Sequence, residues 1–449
     1  MNTYLGLDLG TSGLRGLLVD EGGNTLASAE ADYPIQYPQP GWSEQDPQDW
    51  INAAISIFEV LNTEEPSAFT SLKGIAVSGH MHGAVVLDDN MQVLRPCIMW
   101  NDTRAEKEAA ELNSDPKFRD LSGNIIFPGF TAPKLLWMAR NEPEIFTKAA
   151  KVLLPAAFMN FWLTGVFCSD LSDASGSAWF DLVQADWSTD LLSATGLSVD
   201  QMPSLVYGSE RIGVLKPNIA DRFGLGLEVI VAGGGADNAV AACGIGAIQN
   251  GKGFLSLGTS GVILIANDAP TLMPETAVHC FAHAVPDMRY QMGVTLAATD
   301  SLNWLSRQLG KPPDMLTTAL GDHLNEPSDV LFLPYLSGER TPHNDSAIRG
   351  SFLNIDVSSD VSDLTQAVLE GVAFSVRDIW EALNTAGAKA DRLIAIGGGS
   401  QSRYWIELCA TVLNIPLDIP EKSEFGAAMG AARLAICAAT DRAPIDVMT

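Results

Sequence analysis

The pentapeptide Leu-Gly-Thr-Ser-Gly occurs twice, at 9–13 and at 257–261, letter for letter and in the same setting. Apolar, strand-like residues run from Tyr4 to Asp8 before the first copy and from Leu14 to Asp20 after it; Gly253 to Ser256 and Val262 to Ala266 flank the second. One such hairpin alone reads equally well as an ordinary edge turn. Two of them, separated by more than half the chain, imply a duplicated domain. Each turn would present backbone N–H groups and two hydroxyls to an anion, with Gly10 and Gly13 expected at positive φ. Asp8 stands at the end of the first strand, placed to hold a cation, whereas Ser256 occupies the matching position in the second copy. The repeat therefore assigns the cation to the first half and leaves only amides and hydroxyls to the second.

Any phosphate held here is held locally. Lys plus Arg number 27 against 54 Asp plus Glu, a net charge of −27 that repels nucleic acid and anionic membranes. A small nucleotide, gripped by amides, helix ends and a divalent cation, suits that balance better than a polymer. The 449 residues exceed the size of one core, so two α/β domains are expected. No apolar run reaches 18 residues and no leader-like start opens the chain, which predicts a cytoplasmic protein without membrane contact. Cys97, Cys168, Cys243, Cys280, Cys409 and Cys437 are scattered without a CxxC pair, as buried reduced thiols would be.

Along the first half, Thr25 to Asp32 is expected as a third meander strand, and Asp46 with Pro47 starts a helix whose apolar face is Trp50, Ala53, Ala54, Ile57 and Leu61. Leu72 to Ser78 is a buried strand ending in Gly79-His80-Met81-His82-Gly83. Two histidines at i and i+2 fall short of a metal ligand set, so they read as a pocket wall at a strand's carboxyl end. Trp100-Asn101-Asp102-Thr103-Arg104 offers a plate, an amide and charges for a polyhydroxylated ligand, unless Arg104 and Asp102 simply pair. A helix is expected over Leu135 to Arg140. Asp170 to Gly176 reads as a polar loop, either a surface turn or a pocket lid.

In the second half, the strand Val229 to Ala232 runs through Gly233-Gly234-Gly235-Ala236 to Asp237, at a helix N-terminus where a carboxylate can serve as a base or merely as a cap. A long helix is expected from Asp363 to Ala386, and the strand Leu393 to Ile396 feeds Gly397-Gly398-Gly399-Ser400, where a ring or phosphate can approach the backbone. The small-residue stretch Gly426 to Ala432 predicts a tightly packed helix at a domain junction.

Taken together these segments resemble the FGGY family of carbohydrate kinases, within the actin, hexokinase and Hsp70 superfamily. Gly129 to Asn141 is similar to the first family signature, with Lys134 and Trp137 in place. His80 to Gly83, Trp100 to Asp102, Pro128 to Lys134 and Ser337 to Asn344 are similar to its xylulokinase members in particular. The resemblance, from residue 4 to about 438, implies two ribonuclease-H-like α/β domains, 1–246 for sugar and magnesium and 253–449 for nucleotide, with a nucleotide cleft between them. It implies transfer of the γ-phosphoryl group of ATP to D-xylulose with Mg²⁺. On that pattern Asp237 is the base and Asp8 the magnesium residue. Gly10, Thr11, Ser12 and Arg15 steady the transferring phosphoryl, Gly258 and Thr259 take the inner phosphates, and Gly397, Gly398, Gly399 and Ser400 lie along the adenosine. Met81, His82, Trp100, Asp237 and Asn238 contact the sugar, and a homodimer is a candidate assembly.

Two departures from the family pattern stand out. Asn354 replaces a usual glycine of the second signature, and asparagine can preserve the left-handed turn. The sequence ends at Thr449, before the further C-terminal helical segment that relatives carry, which predicts an uncovered apolar face. The rival readings are a family kinase for another pentulose or polyol, and an actin-like or Hsp70-like nucleotide switch that phosphorylates no small molecule.

Overall fold

A computed structural model describes residues 1–420 and 426–448. The chain forms two compact units, one from Met1–Ile248, Phe281–Met288 and residues 426–448, the other from Gln249–Cys280 and residues 289–420.

In the first unit β1 (Thr3–Leu9), β2 (Gly13–Asp20) and β3 (Thr25–Asp32) make an antiparallel meander. Helix α1 (Pro47–Glu64) starts as its sequence predicts, with the Asp46 carboxylate accepting from the Gln48 amide and Pro47 in the first turn, and it buries Trp50, Ile57, Phe58 and Leu61. Strand β4 (Leu72–Gly79) pairs parallel with β1 on the side away from β2. Helices α2 (Thr131–Asn141) and α3 (Leu171–Ser175) follow, and the chain returns as β5 (Ile230–Ala232) and the short β6 (Gly235–Ala236), both parallel to β4. Helix α4 (Asp237–Gly244) leaves β6 directly. Five strands of this sheet run β5-β4-β1-β2-β3, the ribonuclease-H-like order, and Arg211–Val214 adds an antiparallel edge outside β5. Strand β1 sits in its middle and is buried on both faces, which its continuous Leu-rich run allows.

The second unit repeats that wiring. Strands β7 (Gly253–Leu257), β8 (Gly261–Asn267) and β9 (Arg289–Thr295) form the meander, and β10 (Leu393–Ile396) and β11 (Leu417–Asp418) extend it in parallel, giving β9-β8-β7-β10-β11. The long helix α5 (Val361–Thr385) opens on the Asp360 carboxylate, which accepts from the Ser362 and Asp363 amides, and it buries Val368, Val372, Val376 and Leu383 in the unit's core.

Several expectations are corrected. Gly10 and Gly13 are not among the positive-φ glycines. What favours glycine at 13 is crowding, since an added Cβ would stand 3.0 Å from the Asp32 carboxylate and 3.1 Å from the Ala31 carbonyl, tight contacts that need the neighbours to give way slightly. Asp170 to Gly176 is no surface loop: Leu171–Ser175 is helical and buried, with the Asp170 side chain accepting from the Ser172 and Asp173 amides. The small-residue helix Gly426–Thr440 packs inside the first unit, against β1, β4 and α4, rather than with the second half of the sequence. Its backbone lies so close that a Cβ on Gly6 would fall 1.9 Å from the Ala428 carbonyl oxygen. Asn354 adopts φ 62°, keeping the left-handed turn, and its amide donates to the Asp329 carbonyl at 2.8 Å. All six cysteines are buried and unpaired. Among the described residues no helix is long and apolar enough to cross a membrane.

Candidate active site

The register of the first sheet brings two distant carboxylates to one edge. Asp8 on β1 and Gly235 on β6 both pair with Ser78 of β4, so Asp8, Ser78 and Gly235 form a row across three strands, and Asp237 lies two residues past its end. This is the carboxyl end of the parallel strands, where α/β folds place ligands. Burial raises the Asp8 carboxyl to about 6, despite the Ser78 hydrogen bond and the Arg15 charge that favour the ion. Burial and then the Asp8 charge raise Asp237 to about 7, against hydrogen bonds from Asn238. One oxygen of Asp237, Oδ1, accepts from the Asn238 amide at 2.7 Å and from its side-chain Nδ2 at 2.8 Å. Those bonds fix the carboxylate's orientation. Asp237 is the first residue of α4, and Asn238 steadies it through its main-chain N–H and Nδ2.

The hairpin turn beside Asp8 is held from outside. The Tyr33 hydroxyl donates to the Gly10 carbonyl at 2.5 Å, Gln45 Nε2 to the Thr11 carbonyl at 2.6 Å, and the Trp100 indole to Thr11 Oγ1 at 3.1 Å. Ser12 is exposed and Arg15 ion-pairs with Glu30. Trp100 is 46% exposed beside this turn, an open aromatic plate. Gln45 is a support of this turn that sequence reasoning missed, because its partner, the Thr11 carbonyl, lies 34 residues away.

Met81 and His82 occupy the turn after β4. Met81 is buried and His82 half-buried, with its ring stacked on Phe130 at 4.4 Å and 21°. His82 Nδ1 lies 2.6 Å from the Gly176 carbonyl oxygen; a carbonyl only accepts, so that nitrogen carries the proton. His80 turns elsewhere, edge-on to Trp50 at 5.5 Å, and burial holds it neutral by lowering it to about 3.

Asp102 and Arg104 do not reach a ligand. Arg104 is buried between Trp42, 3.7 Å from its guanidinium carbon, and Trp137 at 5.1 Å, and it pairs with Asp102 and Glu44, each at 2.7 Å. Asp102 also accepts from the Ser43 amide. The pair braces the Trp100 loop. Helix α3 supplies a second support: Ser172 Oγ donates to Asp170 at 2.6 Å and accepts from the Ala236 amide at 3.1 Å, tying α3 to the residue before Asp237. Burial and the charges of Asp170 and Asp237 push Asp173 well above the usual carboxylate range.

In the second unit the 257–261 turn is fastened by the start of the next helix. The Gly258 carbonyl accepts from the Thr299 amide at 2.9 Å and from its hydroxyl at 2.7 Å, and the Thr259 carbonyl from the Ala298 amide at 2.9 Å. Gly397 takes φ 86° and lies against the hairpin, where a Cβ would come within 2.7 Å of the Leu257 carbonyl oxygen. Gly398 and Gly399 line a cavity of about 590 Å³ with Thr299, Asn303, Gln401 and Arg403, a volume that accommodates a nucleoside. Ser400 is turned inward, its hydroxyl donating to the Gly397 carbonyl at 2.6 Å.

This arrangement has close counterparts. The FGGY family of carbohydrate kinases matches in two parts, its N-terminal domain over residues 3–244 and its C-terminal domain over 253–439. A xylulose kinase of Escherichia coli K12 is 42% identical over 440 residues, covering 97% of this chain and 90% of that protein. A xylulose kinase of Bacillus subtilis is 38% identical, covering 97% and 88%. The crystal structure of a xyloylose kinase from Brucella ovis superposes with a TM-score of 0.98 at 52% identity, over all of this chain and 93% of that one. On these grounds the chain belongs to the FGGY family of carbohydrate kinases.

Proposed function

We propose that the protein is a xylulose kinase, transferring the γ-phosphoryl group of ATP to D-xylulose to give D-xylulose 5-phosphate. The observation that carries the chemistry is the row Asp8, Ser78, Gly235, which sets an oriented carboxylate, Asp237, beside a second one suited to a cation. Near-full-length identity to xylulose kinases supports the choice of sugar.

Phosphoryl transfer needs positioning and charge neutralisation more than covalent help. Asp237, raised to about 7, is poised to accept the proton of the attacking sugar hydroxyl near neutral pH. Its Oδ1 is engaged by Asn238, which leaves Oδ2 for that proton. Met81, His82, Trp100 and Asn238 hold the sugar; Gly10, Thr11, Ser12 and Arg15 hold the transferring group. Gly258 and Thr259 hold the inner phosphates, and Gly397 to Gly399 border the adenosine, with Ser400 shaping that turn from behind. The division of labour is sugar and magnesium in residues 1–246 and nucleotide from 253 onward.

Asp8 fits a magnesium ion. Its buried carboxyl is a hard oxygen donor raised in pKa by its surroundings, and it raises Asp237 in turn, a repulsion that a divalent cation relieves. When bound, the ion neutralises charge on the phosphate oxygens. A cytoplasmic location belongs to the same reading, supported by six unpaired thiols.

The test is ADP release from Mg-ATP across a panel of ketopentoses, ketohexoses and polyols. Turnover should depend on D-xylulose. Dependence on another sugar reassigns the substrate, and sugar-independent turnover overturns the kinase.

A further inference from the structure

Lys134 is wholly buried, yet no packing need calls for an amine there; an apolar side chain of similar volume would avoid the cost of burying a charge. Burial lowers it to about 7. The Cys97 thiol, itself pushed up to about 12, Asp102 and Arg104 are the ionisable groups that influence it, and its own charge helps to lower His80. Its hydrogen bond goes to none of these. Lys134 Nζ donates to the main-chain carbonyl of His82 at 2.8 Å, and Thr131 Oγ1, one helical turn earlier on α2, donates to the same oxygen at 3.2 Å.

That carbonyl belongs to a residue in unfavourable backbone. His82 has φ 68°, a left-handed conformation that costs a non-glycine residue about 1–2 kcal/mol and persists only where the surroundings enforce it. Two donors converge on its carbonyl while the ring is fixed on the other side by Phe130 and the Gly176 carbonyl. The His80–Gly83 turn is thus clamped at backbone and side chain together.

We propose that Lys134 is a positioning residue of the sugar site: from within the core its amine, with Thr131, holds the His82 carbonyl, enforces the left-handed turn that presents Met81 and His82, and so sets sugar affinity without touching sugar. The link to affinity rests on the reading of Met81 and His82 as sugar contacts. The clamp itself does not.

The experiment compares wild type with Lys134→Met, which keeps an unbranched side chain one atom shorter and removes the donor, and with the near-isosteric Thr131→Val, which remains informative if the first fails to fold. Hydrogen exchange over residues 79–84 reads the turn directly, whatever the activity. Exchange there should quicken about tenfold or more in Lys134→Met. The KM for D-xylulose should rise about tenfold while kcat and the KM for ATP stay within about twofold, the size of effect expected when contact residues are displaced by under an ångström. Thr131→Val should move the same quantities less. Unchanged exchange at 79–84 overturns the clamp. Quickened exchange with an unchanged sugar KM overturns its role in affinity, and a rise of both KM values together identifies mere loss of packing. Wild type inert toward D-xylulose refutes the substrate reading, and hydrogen exchange then decides the clamp alone.

Discussion

Gly176→Ala should injure sugar binding and little else. The residue sits at φ −79°, ψ −3°, a conformation alanine accepts, so the backbone raises no objection. The added methyl, however, would stand 2.7 Å from Met81 Cε and 2.9 Å from both Cε1 and Nδ1 of His82. Carbon contacts are comfortable at about 3.5–4.0 Å, so these atoms must retreat by roughly 1 Å. Met81 can swing its terminal methyl away. The His82 ring cannot, because it is stacked on Phe130 and bonded through Nδ1 to the carbonyl of Gly176 itself. Retreat forfeits that hydrogen bond, about 1 kcal/mol, and displaces a proposed contact residue by a distance that can cost up to about a hundredfold in rate. Steady-state kinetics should show kcat/KM for D-xylulose down by about 10–100-fold, with the KM for ATP within about twofold. Thermal unfolding should shift by only a few degrees, about what 1 kcal/mol produces in a unit of this size. Wild-type sugar kinetics, or equal losses for sugar and ATP, would refute the reasoning.

Asp237→Asn should reduce turnover by at least about 10²-fold while leaving ATP binding near normal in calorimetry; equal loss of both would mark the residue as structural. Burial, the larger cause, raises the Asp237 pKa, and bound magnesium offsets only the smaller share from Asp8, so kcat/KM for the sugar should fall about tenfold per pH unit on the acid side of a midpoint below about 7 and above the usual carboxylate range, a limb absent from the residual activity of the variant. Gly430→Ala should lower the urea midpoint, since its Cβ would fall 1.8 Å from the Val240 carbonyl oxygen. Overpacking of about 1–3 kcal/mol outweighs about 1 kcal/mol gained in helix propensity, whereas Gly226→Ala, with nothing within 4 Å, should be nearly silent. Burial raises all six thiols, five of them to about 12, so a thiol-reactive chromogen should label none in the native protein and all six after denaturation.

Local signals were readable wherever the cause was local. The Asp46–Pro47 start, the long apolar face of α5 and the left-handed asparagine at 354 depend on neighbours in sequence, and each was foreseen. The repeated pentapeptide revealed the duplication, which the two sheets express as one strand order used twice. Expectations failed, or alternatives stayed open, where the deciding partner is remote. Asp170 to Gly176 looks polar enough for solvent, but Ser172 answers to the Ala236 amide, 64 residues away, and the helix is buried. The left-handed residue near the phosphate turn is His82, not Gly10 or Gly13, because donors from α2 hold it there. Arg104 turned inward once Trp42, Trp137 and Glu44 could surround it. Gln45 escaped attention, and Lys134 was noted only as part of the family signature without its partner, for the same reason: what each holds is a main-chain oxygen, and no residue pattern advertises one.

The helix Gly426–Thr440 lies on β1, against a glycine placed to receive it at position 6. Strand β1 therefore meets this cover only after about 400 further residues have been made. At about 5–20 residues per second, the second unit emerges over ten seconds or more, and throughout that time the backbone groove at Gly6 and Gly74 stands open. An N-terminal fragment released early would carry that exposed surface permanently. Order of synthesis and order of contact run opposite here: a strand made early is covered by a helix made late, so a chain interrupted between the two leaves the glycine groove bare.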